Sequence, residues 1–238
     1  LQHGFNNLLS GYTGINAMDD YSALLLGSAL NTPWGAFSLD ATHSTLDDGK
    51  STQQGTRYRA TYNKTLSQSG TQFSLSGSRS SDESYFSPRE AMMVLDDPDT
   101  STTHEQKRID MSLNQPINSG SLYLIGSKSW YWQEQEPQQS LQLGYSNSIG
   151  AVSYQLGVQQ NQDSSGEDDR VYTLSLSMPL GNRSSLNMQL NHDQHNGDQM
   201  QGSLTGVAGE ESELSYGITA TRDTNNEQGL TSVGGNGS

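Results

Sequence analysis

His192-Asp193-Gln194-His195 sets two imidazoles three residues apart, close enough in sequence to suggest a shared metal ion. That spacing converges two ligands on a helix. Here it falls where a predicted strand ends and a loop begins, and no third ligand stands nearby in sequence. Asp163, Glu167, Asp168 and Asp169 offer carboxylates, but they lack the spaced ligand loop of a calcium site and read as a solvated acidic loop. Ser, His and Asp all occur, yet there is no Gly-x-Ser-x-Gly elbow to expose a nucleophile. The chain has no cysteine, which removes disulfides and Cys-based metal sites. The reading is therefore of a non-enzyme: no catalytic residue, no metal ligand and no cofactor site is expected.

Chemistry of another kind lies in the composition. The 238 residues carry 26 acidic and 12 basic side chains, a net charge of -14. A nucleic-acid partner needs a basic patch to meet phosphates, so none is expected. Only 31% of residues are hydrophobic and mean hydropathy is -0.73, low enough to raise disorder as a rival. Against it stand the modest share of charged residues, 16%, and the regular spacing of the apolar ones. No apolar run approaches a transmembrane helix. Leu1-Gln2-His3-Gly4 has neither a start Met nor a basic leader, and Gly234-Gly235-Asn236-Gly237-Ser238 supplies no closing element. The chain reads as a piece of a longer protein.

The spacing has period two. Val152, Tyr154, Leu156 and Val158 alternate with Ser153, Gln155, Gly157 and Gln159. Tyr172, Leu174, Leu176 and Met178 repeat the pattern, as do Leu186, Met188 and Leu190, and Leu214, Tyr216, Ile218 and Ala220. Upstream, Phe37, Leu39 and Ala41, then Tyr58, Ala60 and Tyr62, then Ile109, Met111 and Leu113, then Leu141, Leu143 and Tyr145 do the same. Such segments are strands with one apolar and one polar face. About thirteen of them are predicted, each of the ~9–11 residues that a tilted membrane strand needs. Short turns are expected near Thr32-Pro33, Gln68-Ser69, Asn118-Ser119, Ser148-Ile149, Gly181-Asn182 and Gly209. Longer links are expected at 15–20, 44–53, 81–105, 133–138, 161–169 and 193–198. Alternation of short turns with longer outer loops is the habit of outer-membrane barrels.

The polar face separates a barrel from a soluble sheet. It is built of Gln, Asn, Ser, Thr and Gly rather than Lys and Glu, which suits a wet lumen, while Tyr, Leu, Val and Met suit lipid. Aromatics gather near strand ends at Trp34, Trp130, Tyr131, Trp132 and Tyr145, as in interfacial girdles. A Lys or Arg on the lipid face at mid-membrane costs roughly 2–4 kcal/mol. Arg57, Arg59, Asp40, Asp110 and Glu213 obey by sharing the polar parity. Lys64 and Arg79 lie on the apolar parity near strand ends, where long side chains snorkel. Lys128, on the Leu122/Leu124 parity, fits only if a bulge shifts the register. The fold class is thus all-β: an antiparallel transmembrane β-barrel fragment of meander strands. The barrel is incomplete, because strands in lipid must close on themselves and bacterial single-chain barrels use even numbers. Its one helix is short and lies in a loop. Ser87-Pro88-Arg89-Glu90 supplies a cap, a first-turn proline and a capping-box Glu. Ala91-Met92-Met93-Val94-Leu95 follows, before Asp96-Asp97-Pro98 stops it. It could pack on the rim or face the lumen.

Six stretches resemble the outer-membrane ushers of chaperone–usher fimbrial systems. They are residues 35–44 (GAFSLDATHS), 55–66 (GTRYRATYNKTL), 85–92 (YFSPREAM), 120–132 (GSLYLIGSKSWYW), 141–158 (LQLGYSNSIGAVSYQLGV) and 172–181 (YTLSLSMPLG). They span most of the chain in the family's order. The resemblance implies that residues 1–238 are part of a translocation pore, without its plug or its N- and C-terminal periplasmic domains. The full-length protein would sit in the bacterial outer membrane in contact with its lipid. It would receive periplasmic chaperone–subunit complexes, join fimbrial subunits by donor-strand exchange, and use no nucleotide or cofactor. In that family a helix between mid-barrel strands lies against the plug. Ser87, Pro88, Arg89, Glu90, Ala91, Met92 and Met93 occupy the matching place, with Pro88 departing from the family's pattern. A porin, an autotransporter translocator or a β-solenoid surface adhesin remain as alternatives, although no repeat period marks a solenoid.

Overall fold

Residues directly opposite each other in an antiparallel ladder share a face of the sheet, so strand pairing tests the alternation residue by residue. The computed structural model describes residues 1–97, 103–132, 136–195, 197–208, 214–223 and 230–237. The expected turn at Gly209 and the polar placing of Glu213 lie outside the described residues. The strands are β1 (Gln2–Gly4), β2 (Leu9–Met18), β3 (Tyr21–Thr32), β4 (Gly35–Asp47), β5 (Thr52–Thr65), β6 (Gln72–Ser80), β7 (Glu105–Ile117), β8 (Gly120–Tyr131), β9 (Gln138–Ile149), β10 (Val152–Gln162), β11 (Asp168–Leu180), β12 (Ser184–Asp193), β13 (Gly197–Ala208), β14 (Leu214–Asp223) and β15 (Leu230–Gly237). The helix α1 (Pro88–Asp96) stands between β6 and β7. Strand order in the sheet is chain order from β1 to β15, the meander expected. The count among the described residues is fifteen against about thirteen, and β1 is a three-residue strand that alternation does not reveal.

The chain forms two compact units. In the first (Leu1–Leu113, Ile125–Gln139 and Gln162–Glu167), one row of opposed residues is Thr13, Leu26, Ala41, Tyr58 and Arg79. The row four residues along is Leu9, Leu30, Phe37, Tyr62 and Leu75. The opposite face carries Tyr12, Gly27, Asp40, Arg59 and Ser78 in one row. In the second unit (Asn114–Leu124, Ser140–Asn161 and Asp168–Ser238), Met178, Leu186, Leu204 and Ile218 form an apolar row. Ser177, Asn187, Ser203 and Thr219 lie on the reverse. The polar rows bond across strands: Ser177 Oγ donates to Asn187 Oδ1 at 2.8 Å and Thr173 Oγ1 to Asn191 Oδ1 at 3.0 Å. The apolar rows stay open, with Leu39 66% and Leu26 57% exposed. A contiguous apolar face of this kind needs a partner or a lipid surface.

The links depart from expectation at several places. Residues 15–18 continue β2, leaving a two-residue turn at Asp19-Asp20 in which Asp20 takes φ 62°, a conformation that Asp and Asn tolerate. Residues 44–47 continue β4 and 52–53 begin β5. The difference in length between the two sets of links is therefore smaller than predicted, except for the 81–104 link. Backbone pairing runs past the point where the apolar alternation stops.

Candidate functional site: a helix laid on the polar face

The 81–104 link turns back over β5 as soon as it leaves β6. Ser81 N donates to Thr56 O at 2.7 Å, and Thr56 N donates to Ser81 Oγ at 3.1 Å. The chain then crosses Gly55, whose missing side chain makes the crossing possible: a Cβ there would stand 2.3 Å from Tyr85 N and 2.4 Å from Tyr85 Cα. Gly55 opposes Ser44, so the link lies on the polar face. Phe86 N donates to Ser44 Oγ at 3.2 Å, and the buried Tyr21 hydroxyl donates to Phe86 O at 3.0 Å. Burial pushes the Tyr85 hydroxyl above its ordinary pKa, with the nearby Arg57 guanidinium pulling the other way.

The helix begins where its sequence says it should. Ser87 Oγ accepts from Glu90 N at 3.4 Å and Ser87 N donates to Glu90 Oε2 at 2.7 Å, a complete capping box. Ala91 and Val94 are buried against Tyr21, Ala23, Leu46 and Phe86, with Met18 and Leu95 at the edge. This is the apolar core among the described residues. Tyr21 opposes Leu46 and Ala23 opposes Ser44, so all four share the parity of Asp40, not that of Leu24 and Leu26. The helix thus rests on the polar side of the sheet. Its outer surface carries Arg89, Met92, Met93 and Asp96, all exposed, at the i, i+3, i+4, i+7 spacing of one helical stripe.

Beneath the link lies a charged network. Arg57 Nη2 bonds Glu105 Oε1 and donates to Ser78 Oγ at 3.0 Å. Glu105 Oε2 accepts from the buried Ser129 Oγ at 3.1 Å and lies 3.7 Å from Arg108 Nη1. Arg108 Nε donates to both Asp110 oxygens, at 2.8 and 3.0 Å. The buried Ser80 Oγ donates to Glu105 O at 3.1 Å. Alternation alone assigns Glu105 to the Ile109 side. It escapes because it is the first residue of β7, where the strand's facing is not yet set by a partner row.

The predicted seven-residue set divides. Arg89, Met92 and Met93 are exposed; Ser87, Pro88 and Glu90 form the cap; Ala91 is buried in the sheet contact. Of the aromatics, Trp34 sits in the β3–β4 turn, 82% exposed, and its carbonyl accepts from Tyr62 Oη at 2.8 Å. Trp130 and Tyr131 fall on opposite parities, and Tyr131 Oη donates to Gln138 Oε1 at 2.8 Å. Trp132 follows the end of β8, with its indole nitrogen buried and unbonded among the described residues. Lys128 finds a place at the end of β8: its ammonium lies 5.4 Å from the Trp130 ring centroid. The two histidines do not converge. His192 Nδ1 pairs with Asp198 at 2.5 Å, while His195 Nδ1 pairs with Asp169 at 3.2 Å. Asp169, Asp193 and His195 do come together. Asp193 Oδ1 accepts the His195 N–H at 2.8 Å, so a turn bond and the His195–Asp169 pair hold the cluster.

A meander of strands with an open apolar face and a hydrogen-bonded polar face, bearing a helix on the polar side, defines a section of a transmembrane β-barrel pore. The model of the outer membrane usher protein family matches residues 1–238, and the chain belongs to that family. It is 34% identical to the outer membrane usher protein MrkC of Klebsiella pneumoniae, over 94% of this chain and 29% of that protein. The chain thus spans under a third of that relative's length. Its fold is similar to the P pilus usher (PapC) translocation pore, with a TM-score of 0.58 at 20% identity, covering 98% of this chain and 48% of that one. It is also similar to an Escherichia coli P pilus tip assembly intermediate, PapC-PapD-PapK-PapG. There the TM-score is 0.69 at 19% identity, covering 99% of this chain and 30% of that one.

Proposed function

We propose that residues 1–238 are pore wall in a full-length outer-membrane usher. That protein accepts periplasmic chaperone–subunit complexes, joins fimbrial subunits by donor-strand exchange, a form of strand addition, and passes the fibre outward. The role is transport and assembly, with no catalytic chemistry of its own. In this reading α1 faces the pore and bears on a plug supplied by another part of the protein. The observation that carries it is the seat of Ala91 and Val94 on Tyr21, Ala23 and Leu46, residues of the polar face. A helix so seated turns Arg89, Met92 and Met93 toward the channel. The strand ends bearing the 81–104 link are then the outer ends. Trp130 at those ends and Trp34 at the opposite ends suit the two membrane interfaces.

The test leaves the buried side of α1 intact. Arg89→Glu, Met92→Glu and Met93→Glu together, in the full-length protein, should raise spontaneous conductance in planar bilayers by freeing the plug. Unchanged conductance would reduce the helix to wall packing.

A further inference from the structure

The apolar face carries positive charge that the pore does not use. Arg79 opposes Tyr58 in the row that includes Ala41 and Leu26, and so belongs to the outward face. Lys107 keeps the parity of the exposed Ile109, and Lys128 that of Leu122 and Leu124. The ammonium groups of Lys107 and Lys128 lie 4.4 and 5.4 Å from the centroid of the Trp130 ring, one indole shared by two cations. Arg79 and Lys107 line one groove with Leu26, Leu39, Tyr58 and Ile109. The three cations stand on consecutive strands, near the end of β6, near the start of β7 and near the end of β8, which ends at Tyr131. None is in an ion pair among the described residues. Glu105, the acid nearest in sequence to Lys107, is committed to Arg57 and Ser129. In the second unit, Arg170 near the start of β11 keeps the parity of Tyr172 in sequence, and Arg222 near the end of β14 opposes Met200. At the opposite strand ends Lys64 takes the same face, opposing Phe73, with its ammonium donating to Pro33 O at 2.5 Å.

A chain with net charge -14 that gathers three cations above an apolar belt presents an anion site at headgroup depth. Cations at that level meet lipid phosphate, and Trp is at home there. We propose that Arg79, Lys107 and Lys128, with Trp130, bind the headgroup of an outer-leaflet lipid carrying two phosphate groups, its acyl chains lying on Leu26, Leu39, Tyr58 and Ile109. Three separated cations match a doubly phosphorylated headgroup better than a single phosphodiester. The proposal rests on the reading that these strand ends are the outer ones.

The full-length protein in detergent is titrated by native mass spectrometry with a diphosphorylated glucosamine lipid, with phosphatidylglycerol and with inorganic phosphate. The R79Q/K107Q/K128Q variant should lose bound diphosphorylated lipid on the order of a hundredfold, from the loss of three charges near the surface. The charge-keeping R79K/K107R/K128R variant and K64Q should bind as the parent does. Full retention by the glutamine variant, equal loss in K64Q, or equally tight phosphatidylglycerol binding would overturn the proposal. Displacement of the lipid by equimolar inorganic phosphate would overturn it too, in favour of a free-anion site. Orientation is checked separately by Ser51→Cys in the same set of links. Labelling by an impermeant maleimide on intact cells supports the outer assignment, and failure to label sinks the orientation whatever the lipid result.

Discussion

Two glycines that look alike in sequence differ in what crosses them. At Gly55 an added Cβ meets the backbone of Ser84 and Tyr85, whereas at Gly27 it meets the far end of the Tyr12 ring, 2.3 Å from Cζ. A side chain can swing away, with loss of the 3.1 Å Tyr12 Oη–Asp40 bond; a backbone held at Phe86 by Ser44 and Tyr21 cannot. Gly55→Ala should therefore loosen the link by about 1–3 kcal/mol, and Gly27→Ala by less. Limited proteolysis of the full-length protein reads this as faster cleavage between residues 81 and 104 in the first variant. Equal rates would mean that the link is not seated on Gly55. Nothing in the single sequence marks Gly55, because the residue that needs it lies thirty positions away. Arg57 was legible as a polar-face charge, but its partner Glu105 was not, since parity fails at a strand's first residue.

The helix was readable at the level of an element. Ser87, Pro88 and Glu90 are local signals that act within one turn, and the capping box follows from them. Which face of the sheet would receive it was not readable, because that depends on Tyr21 and Leu46 standing opposed on strands far upstream. Ser87→Ala should cost about 1 kcal/mol of helix stability, seen as faster hydrogen exchange at the Ala91 and Val94 amides. Unchanged exchange would show that burial alone holds the helix. The strands were legible where hydrocarbon imposes alternation and illegible beyond it. Asn16 and Ala17 pair with Ala23 and Ser22, and Thr45 and Leu46 with Gln54 and Gln53. Beyond the hydrocarbon these faces meet water or, at Ala23 and Leu46, the helix, so the residues lose their period while the backbone keeps its ladder.

Across the whole molecule, a chain of low hydrophobicity folds without a conventional core because its apolar side chains are spent outward. The buried cluster under α1 is small, and large residues such as Leu26, Leu39, Ile109, Leu143 and Ile218 remain open. A soluble sheet would hide that face against a second layer. Here the second layer is lipid, and Gln, Asn, Ser and Thr line the water side. Single cysteines at positions 38–41 of β4 and 187–190 of β12, introduced in the full-length protein with no other cysteine, would carry nitroxide labels in lipid bilayers. The most direct measurement is their accessibility to oxygen and to a water-soluble nickel chelate. Opposite phases of period two are expected: oxygen favoured at Leu39, Ala41, Met188 and Leu190, and the chelate at Ser38, Asp40, Asn187 and Gln189. Apolar positions shielded from both reagents, as in a protein core, or no alternation at all, would contradict this expectation.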